Sequence, residues 1–128
     1  MNLMEWKKCE REFIREVEAD QPRVTSIIKQ ARNRLRMVQK IDFSEETISF
    51  IVENYYEVIK ELLVAYLLKR GLRSKNHQCL FSYFYKEHPE YETEVMMISQ
   101  MSYFRNRLEY YGESVPLTFY EKNDILPK

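Results

Sequence analysis

Apolar residues recur every three or four positions through most of this chain, and at about 100° per residue this spacing places them on one side of a helix. The clearest stripe lies within residues 23–40 and consists of Val24, Ile27, Ile28, Ala31, Leu35 and Val38. Comparable stripes predict four further helices. The five predicted helices cover residues 2–19, 23–40, 44–70, 77–87 and 90–111.

Polar residues, proline and glycine predict where these helices begin and end. Pro22 suits the first turn of the second helix, since a proline there loses no helical hydrogen bond. Asp42 and Ser44 are two candidate N-caps for the third helix, and Asp42 with Glu45 has the spacing of a capping box. Gly71 is expected to end the third helix in a left-handed conformation. Residues 73–76 are then predicted to form a polar connector.

The scarcity of glycine favours long helices over the frequent turns of a β-sandwich or barrel. The sequence contains only Gly71 and Gly112 in 128 residues. We therefore expect an all-α, up-and-down bundle of four to five helices, with one domain at residues 1–115 and a short C-terminal tail at residues 116–128. The third helix is apolar over a wide arc, which makes it either the central helix or part of a dimer interface.

Composition is that of an ordinary globular protein, with 45% hydrophobic and 31% charged residues and a formal net charge of zero. The longest apolar run, residues 62–68, is far shorter than the roughly 20 residues that span a bilayer. The first residues show no apolar secretion signal. Cys9 and Cys79 are therefore interpreted as reduced packing cysteines of a cytoplasmic protein that does not contact membranes.

Basic residues are concentrated in the second helix. Residues 21–41 contain six basic side chains and no acidic one, whereas residues 44–66 contain five glutamates. A continuous row faces away from the apolar stripe and consists of Lys29, Arg32, Arg36 and Lys40. A solvated face is the default for such a row. The alternatives are contact with a nucleic-acid backbone, with an acidic partner surface, or with the glutamates of the third helix across a dimer.

Polar and aromatic residues gather at the end of the fifth helix. Those on one side of it are Tyr103, Asn106, Arg107 and Tyr110. Arg105 lies at the border of the core stripe, and Glu109 is its i+4 neighbour. One interpretation is a simple intrahelical ion pair. The other is an anion site, because arginine presents a planar set of donors matched to phosphate and tyrosine can stack on a base.

The order of these features resembles a HEPN domain over residues 4–115. The third helix ends in Leu-Lys-Arg-Gly, an aromatic run follows His77, and the fifth helix ends in Arg-Asn-Arg-Leu-Glu-Tyr-Tyr-Gly. The likeness is strongest to prokaryotic, especially archaeal, members. It implies a helical bundle that usually dimerises. Active members cleave RNA without a metal, using an Arg-X4-His motif from both protomers; others bind nucleotides or RNA, or partner a minimal nucleotidyltransferase in toxin–antitoxin pairs.

Arg105 and Asn106 match the arginine of that motif and its polar neighbour, but Tyr110 occupies the histidine position. Tyrosine, with a reference pKa of about 10, is a poor base near neutral pH. The resemblance therefore implies a homodimeric module that binds RNA or nucleotide near Arg105, partners a minimal nucleotidyltransferase, or does both. Arg105, Asn106 and Tyr110 are the candidate catalytic residues. A ribonuclease with a displaced acid–base group, and a bundle without any ligand, remain as alternatives.

His77 and His88 are the only histidines and are both expected at the surface. Neither has a cysteine or carboxylate at ligand spacing, so no metal site is predicted. The chain lacks the glycine-rich loop that cradles phosphates, and no cofactor is expected. Arg107 and the basic row of the second helix are the further candidates for binding an anion or nucleic acid.

Overall fold

The computed structural model describes residues 3–111, and side chains as far as residue 107. Within that part of the chain there are five α-helices and a two-stranded sheet, so the all-α bundle is confirmed. The elements in order are α1 (Trp6–Glu12), β1 (Ile14–Glu16), α2 (Gln21–Val38), α3 (Ile48–Lys69), β2 (Leu72–Ser74), α4 (His77–Glu87), a 3-10 turn (Pro89–Tyr91) and α5 (Glu92–Tyr111). Gly112 and the predicted tail at residues 116–128 lie outside the described residues, as does the predicted domain boundary.

Helix α3 is the centre of the bundle. It packs against α2 on one side and against α4 and α5 on others. Its buried side chains, among them Val52, Tyr56 and Leu67, form one core with Phe81 of α4 and Met101 of α5. Much of the wide apolar arc of this helix is therefore buried within one chain, whereas Phe50, Leu62 and Val64 stay exposed.

The start of α2 is set by residues close to it in the sequence. The Asp20 carboxylate accepts a hydrogen bond from the Arg23 backbone N–H at 3.1 Å, and Pro22 lies in the first turn of α2 as predicted. Helix α3 begins at Ile48, later than predicted, and neither Asp42 nor Ser44 is its N-cap. Ser44 and Thr47 instead exchange hydrogen bonds across the turn that precedes the helix.

The first predicted helix is wrong before Trp6 and beyond Glu12. The chain leaves α1 and forms β1, which pairs antiparallel with β2 in the register Ile14 opposite Ser74. The predicted polar connector at residues 73–76 is correspondingly part strand. Isoleucine and valine at positions 14 and 17 favour extended backbone, and the partner strand is distant in sequence, so the helical spacing alone was misleading.

Gly71 ends α3 in the left-handed conformation that the sequence predicts, with φ of 75°. Its backbone also joins the small sheet, since the Gly71 carbonyl accepts a hydrogen bond from the Val17 N–H at 2.9 Å. A Cβ at this position would lie 3.1 Å from the Val17 carbonyl oxygen. Both the φ angle and this close approach therefore favour glycine.

The expectation of two reduced cysteines is also wrong. Cys9 of α1 and Cys79 of α4 are fully buried and form a disulfide between residues 70 positions apart. The early end of α1 is the reason, because the short helix packs on α4 with the two Cα atoms 5.5 Å apart, a normal separation for a disulfide. The link fixes the N-terminal segment to the bundle.

Helix α5 buries Met101 as predicted, and Met97 and Phe104 are partly buried. Val95 and Ile98 complete its core face. The predicted stripe residues Leu108 and Tyr111 lie beyond the described side chains. Among the described residues, none of the helices has both the length and the apolar character needed to cross a membrane.

Candidate functional site

Arg105 lies at the contact between α5 and the central helix α3. Its Nη2 atom is 3.3 Å from Glu57 Oε1, and the guanidinium carbon lies 5.3 Å from the centre of the Tyr56 ring. Only 19% of the Arg105 side chain is exposed, and 17% of Glu57. The arginine is therefore partly desolvated, which strengthens its interaction with any anion that reaches it.

Glu57 is shared between two cations. Lys60, one turn further along α3, places its Nζ atom 2.6 Å from Glu57 Oε2, and its side chain is 18% exposed. A single carboxylate thus lies between Lys60 and Arg105. Both pairs lie in a place that is only partly open to water.

His77 stands beside this group at the first position of α4. The Asn76 side chain caps the helix by accepting a hydrogen bond from the Gln78 N–H at 2.8 Å. Partial burial of the His77 ring lowers its pKa, and the positive charges of Lys60 and Arg105 lower this pKa further, while Glu57 opposes them. At neutral pH the imidazole is therefore neutral and able to accept a proton.

These four residues, Glu57, Lys60, His77 and Arg105, are referred to below as the junction cluster, because α3, α4 and α5 each contribute to it. Its parts suit the binding of a phosphate, since they include two cationic donors and a ring nitrogen. The neutral imidazole beside two cations also has the properties of a general base.

The other residues predicted for the site are placed differently. Arg107 lies over the exposed ring of Tyr103, with 5.7 Å between the guanidinium carbon and the ring centre. Asn106 is exposed on the helix surface. Tyr110 belongs to α5, but its side chain, like that of Glu109, is outside the described residues. Of the motif residues, Arg105 alone is brought to the junction cluster by the described contacts.

The basic row Lys29, Arg32, Arg36 and Lys40 is exposed along α2, as a solvated face requires. Arg36 donates a hydrogen bond to the side chain of Asn33. The cation of α2 that pairs with a glutamate of α3 is Arg34, which is not in the row. Its Nε lies 2.6 Å from Glu61 Oε1 and its Nη1 donates to Asn54 at 3.1 Å. Such a pair within one chain was not predicted.

His88 is half-buried and not simply a surface residue. Its Nε2 lies 3.0 Å from the Tyr66 hydroxyl and its Nδ1 lies 3.4 Å from a Glu90 oxygen. Burial raises the pKa of Tyr66, although the charge of Arg70 above its ring opposes that effect. With Phe84 and Tyr91, these rings hold the ends of α3 and α4 together. We interpret this group as structural.

Sequence reasoning found Arg105 but missed Glu57 and Lys60 and gave His77 little weight. A signal was present, since Glu57 and Lys60 are charged residues one turn apart within a helix that is otherwise apolar over a wide arc. Among the described residues there is no group of three or more histidine, cysteine or carboxylate side chains arranged to hold a metal. Comparison of the chain with family models, curated proteins and solved structures found no match.

Proposed function

We propose that this protein is a HEPN-like helical module that binds a phosphate group of RNA or of a nucleotide at the junction cluster. The observation that carries the proposal is the sharing of Glu57 by two partly desolvated cations, Lys60 and Arg105. The two cations attract an anion, and the guanidinium provides a planar set of donors for phosphate oxygens.

The resemblance in sequence supports the same location, since Arg105 is the residue that matches the family arginine. It extends the proposal to partners: a second copy of the chain, and a minimal nucleotidyltransferase of the kind found in toxin–antitoxin pairs. Light scattering of the purified protein tests the homodimer directly. A cytoplasmic location is part of the same proposal, and the redox state of Cys9 and Cys79 in cells tests it, because disulfides are rare in that compartment.

Binding is tested by fluorescence anisotropy with a labelled single-stranded RNA and, separately, a labelled adenine nucleotide. We expect Arg105→Gln to weaken binding of the preferred ligand at least tenfold. The matched control is Arg15→Gln, which removes the same charge from an exposed position on β1. Equal affinities of the wild-type protein and both variants would contradict the proposal. A wild-type protein that binds neither the RNA nor the nucleotide would also contradict it.

A second candidate function is metal-independent RNA cleavage with His77 as the displaced acid–base group. The observation that favours it is the position of His77, at the first residue of α4 and beside Lys60 and Arg105. In this reaction His77 accepts the proton of a ribose 2′-hydroxyl, the O2′–phosphorus bond forms, and the phosphorus–O5′ bond breaks. The product is a 2′,3′-cyclic phosphate, water protonates the departing O5′, and Arg105 stabilises the charge on phosphorus.

Cleavage is tested by incubating RNA with the protein in EDTA. The activity should disappear in His77→Gln and on RNA with 2′-deoxyribose at the cleaved position, while His88→Gln serves as the control. RNA that stays intact with a protein that binds it would reject the nuclease and leave the binding function in place.

A further inference from the structure

The open side of the α2–α3 pair carries an apolar groove that the junction cluster does not use. Its volume is about 450 Å³, and its apolar lining comes from Met37, Val38 and Ile41 after the middle of α2 and from Phe50 at the start of α3. Met37 is 68% exposed and Phe50 is 54% exposed. Two large apolar side chains so open to water and adjacent in one groove are typical of a docking surface.

The shape of the groove suits a helix. On α2 the lining residues extend from Gln30 to Val38, which corresponds to about two and a half helical turns, and Ile41 follows just after the helix. A groove between two packed helices accepts a third helix whose apolar side chains recur every three or four residues. The amide side chains of Gln30, Asn33 and Asn54 border the apolar floor and offer hydrogen bonds to such a partner.

The basic residues beside the groove indicate the charge of the partner that it would bind. The basic row of α2 runs beside the groove, and Arg36 of that row contacts Asn33, which lines it. Arg34 also lines the groove, but its charge is balanced by Glu61. Residues 21–41 contain no acidic side chain, so the four cations of the row have no balancing charge on their own helix.

We infer that the groove binds an acidic amphipathic helix from a different protein. The apolar face of that helix would cover Met37 and Phe50, and its carboxylates would lie against the basic row. A second copy of this chain is the competing occupant, in which the glutamates of the third helix would lie against the basic row. Nucleic acid is disfavoured because Met37 and Ile41 provide no complement to a phosphate backbone.

The probe is a labelled 18-residue helical peptide with leucines on one face and glutamates on the other, compared with a peptide that has lysines in place of the glutamates. We expect the acidic peptide to bind and the lysine peptide to bind at least tenfold more weakly. Raising the salt concentration should weaken binding of the acidic peptide, since salt screens exposed charges. Equal binding of the two peptides, or binding of neither, would overturn the inference.

Substitutions in the groove and in the basic row test where the acidic peptide binds. We expect two variants to bind the acidic peptide at least tenfold more weakly. One is Phe50→Ser, and the other is the double variant Arg32→Glu with Arg36→Glu. Met37→Ser provides a second test of the apolar floor at the most exposed position. The matched controls are Met96→Ser, an exposed apolar residue of α5, and Lys7→Glu, an exposed cation of α1. Controls that lose as much affinity as the groove variants would contradict the assignment.

The competing occupants give different results. If the groove joins two copies, the wild-type protein forms a dimer that Phe50→Ser converts to monomer and the acidic peptide fails to compete. If the row binds nucleic acid instead, RNA displaces the acidic peptide and the reversal of Arg32 and Arg36 abolishes RNA binding. Either result would replace the acidic helix as the partner. The Arg105→Gln variant should bind the acidic peptide normally, which separates this surface from the junction cluster.

Discussion

Replacing Glu57 by glutamine should change stability and phosphate binding in opposite directions. The substitution keeps the size of the side chain but removes the charge that Lys60 and Arg105 share. An exposed ion pair contributes about 0–1 kcal/mol and a buried pair costs about 3–5 kcal/mol to break. Since these side chains are 17–19% exposed, we expect unfolding to become easier by about 2 kcal/mol in total.

Phosphate binding should become tighter in the same variant. At an effective dielectric constant of about 40, removing one negative charge about 6 Å from a bound phosphate gains about 1.4 kcal/mol, or about tenfold in Kd. Fluorescence anisotropy with labelled RNA measures this change, and urea denaturation measures the stability. The pKa of His77 should fall further, because Glu57 is the group that raises it. NMR titration of the His77 ring measures that effect independently.

The matched control for this prediction is Glu94→Gln. It removes the same charge from an exposed position at the start of α5, about 16 Å along the helix from Arg105. It should change RNA affinity less than twofold. If Glu57→Gln instead weakens RNA binding as much as Arg105→Gln does, Glu57 does not oppose the bound phosphate, and the reasoning is refuted.

Three further predictions concern the fold and His77. Replacing both Cys9 and Cys79 by alanine should lower the free energy of unfolding by about 4 kcal/mol, because their disulfide closes a loop of about 70 residues in the unfolded chain; urea titration that finds no loss would contradict this. Gly71→Ala should cost about 1–2 kcal/mol from its positive φ and the nearby Val17 carbonyl, whereas the exposed Ala19→Gly should cost much less in the same assay. Because the folded pKa of His77 is below the unfolded value of 6.5, wild-type stability should fall relative to His77→Gln as the pH drops below 6.5; parallel pH profiles would reject this.

The direction of the last prediction follows from proton binding. The unfolded chain takes up a proton at His77 at a higher pH than the folded chain does, so acid favours the unfolded state. The stabilising difference is complete above pH 6.5 and is lost as the pH falls through the folded pKa. His77→Gln removes the titrating group and with it this contribution.

The sequence predicted the fold correctly where residues close together in the chain determine the start or end of a helix. Asp20 and Pro22 start α2, Gly71 ends α3, and α4 covers the predicted residues His77–Glu87. The end of α1 was not predictable in this way, because residues 14–16 pair with a strand that is nearly 60 positions away in the chain. The same long-range packing brings Cys9 to Cys79, which no spacing in the sequence reveals.

The candidate site was predictable only in part. Arg105 was identified by the helix end on which it lies, but its neighbours come from α3 and α4, and helical periodicity does not report contacts between helices. His77 seemed an ordinary surface residue in sequence, and its significance comes from Lys60 and Arg105 beside it. The groove of α2 and α3 was likewise not predicted, since it forms only where the two helices pack together and leave Phe50 half exposed.

The most direct test of phosphate recognition at the junction cluster is an NMR titration of the wild-type protein with a short single-stranded RNA. We predict that the Nε–H signal of Arg105 and the ring signals of His77 shift as RNA is added, and that Arg105→Gln abolishes these shifts. Shifts confined to Lys29, Arg32, Arg36 and Lys40, with Arg105 and His77 unchanged, would contradict the account.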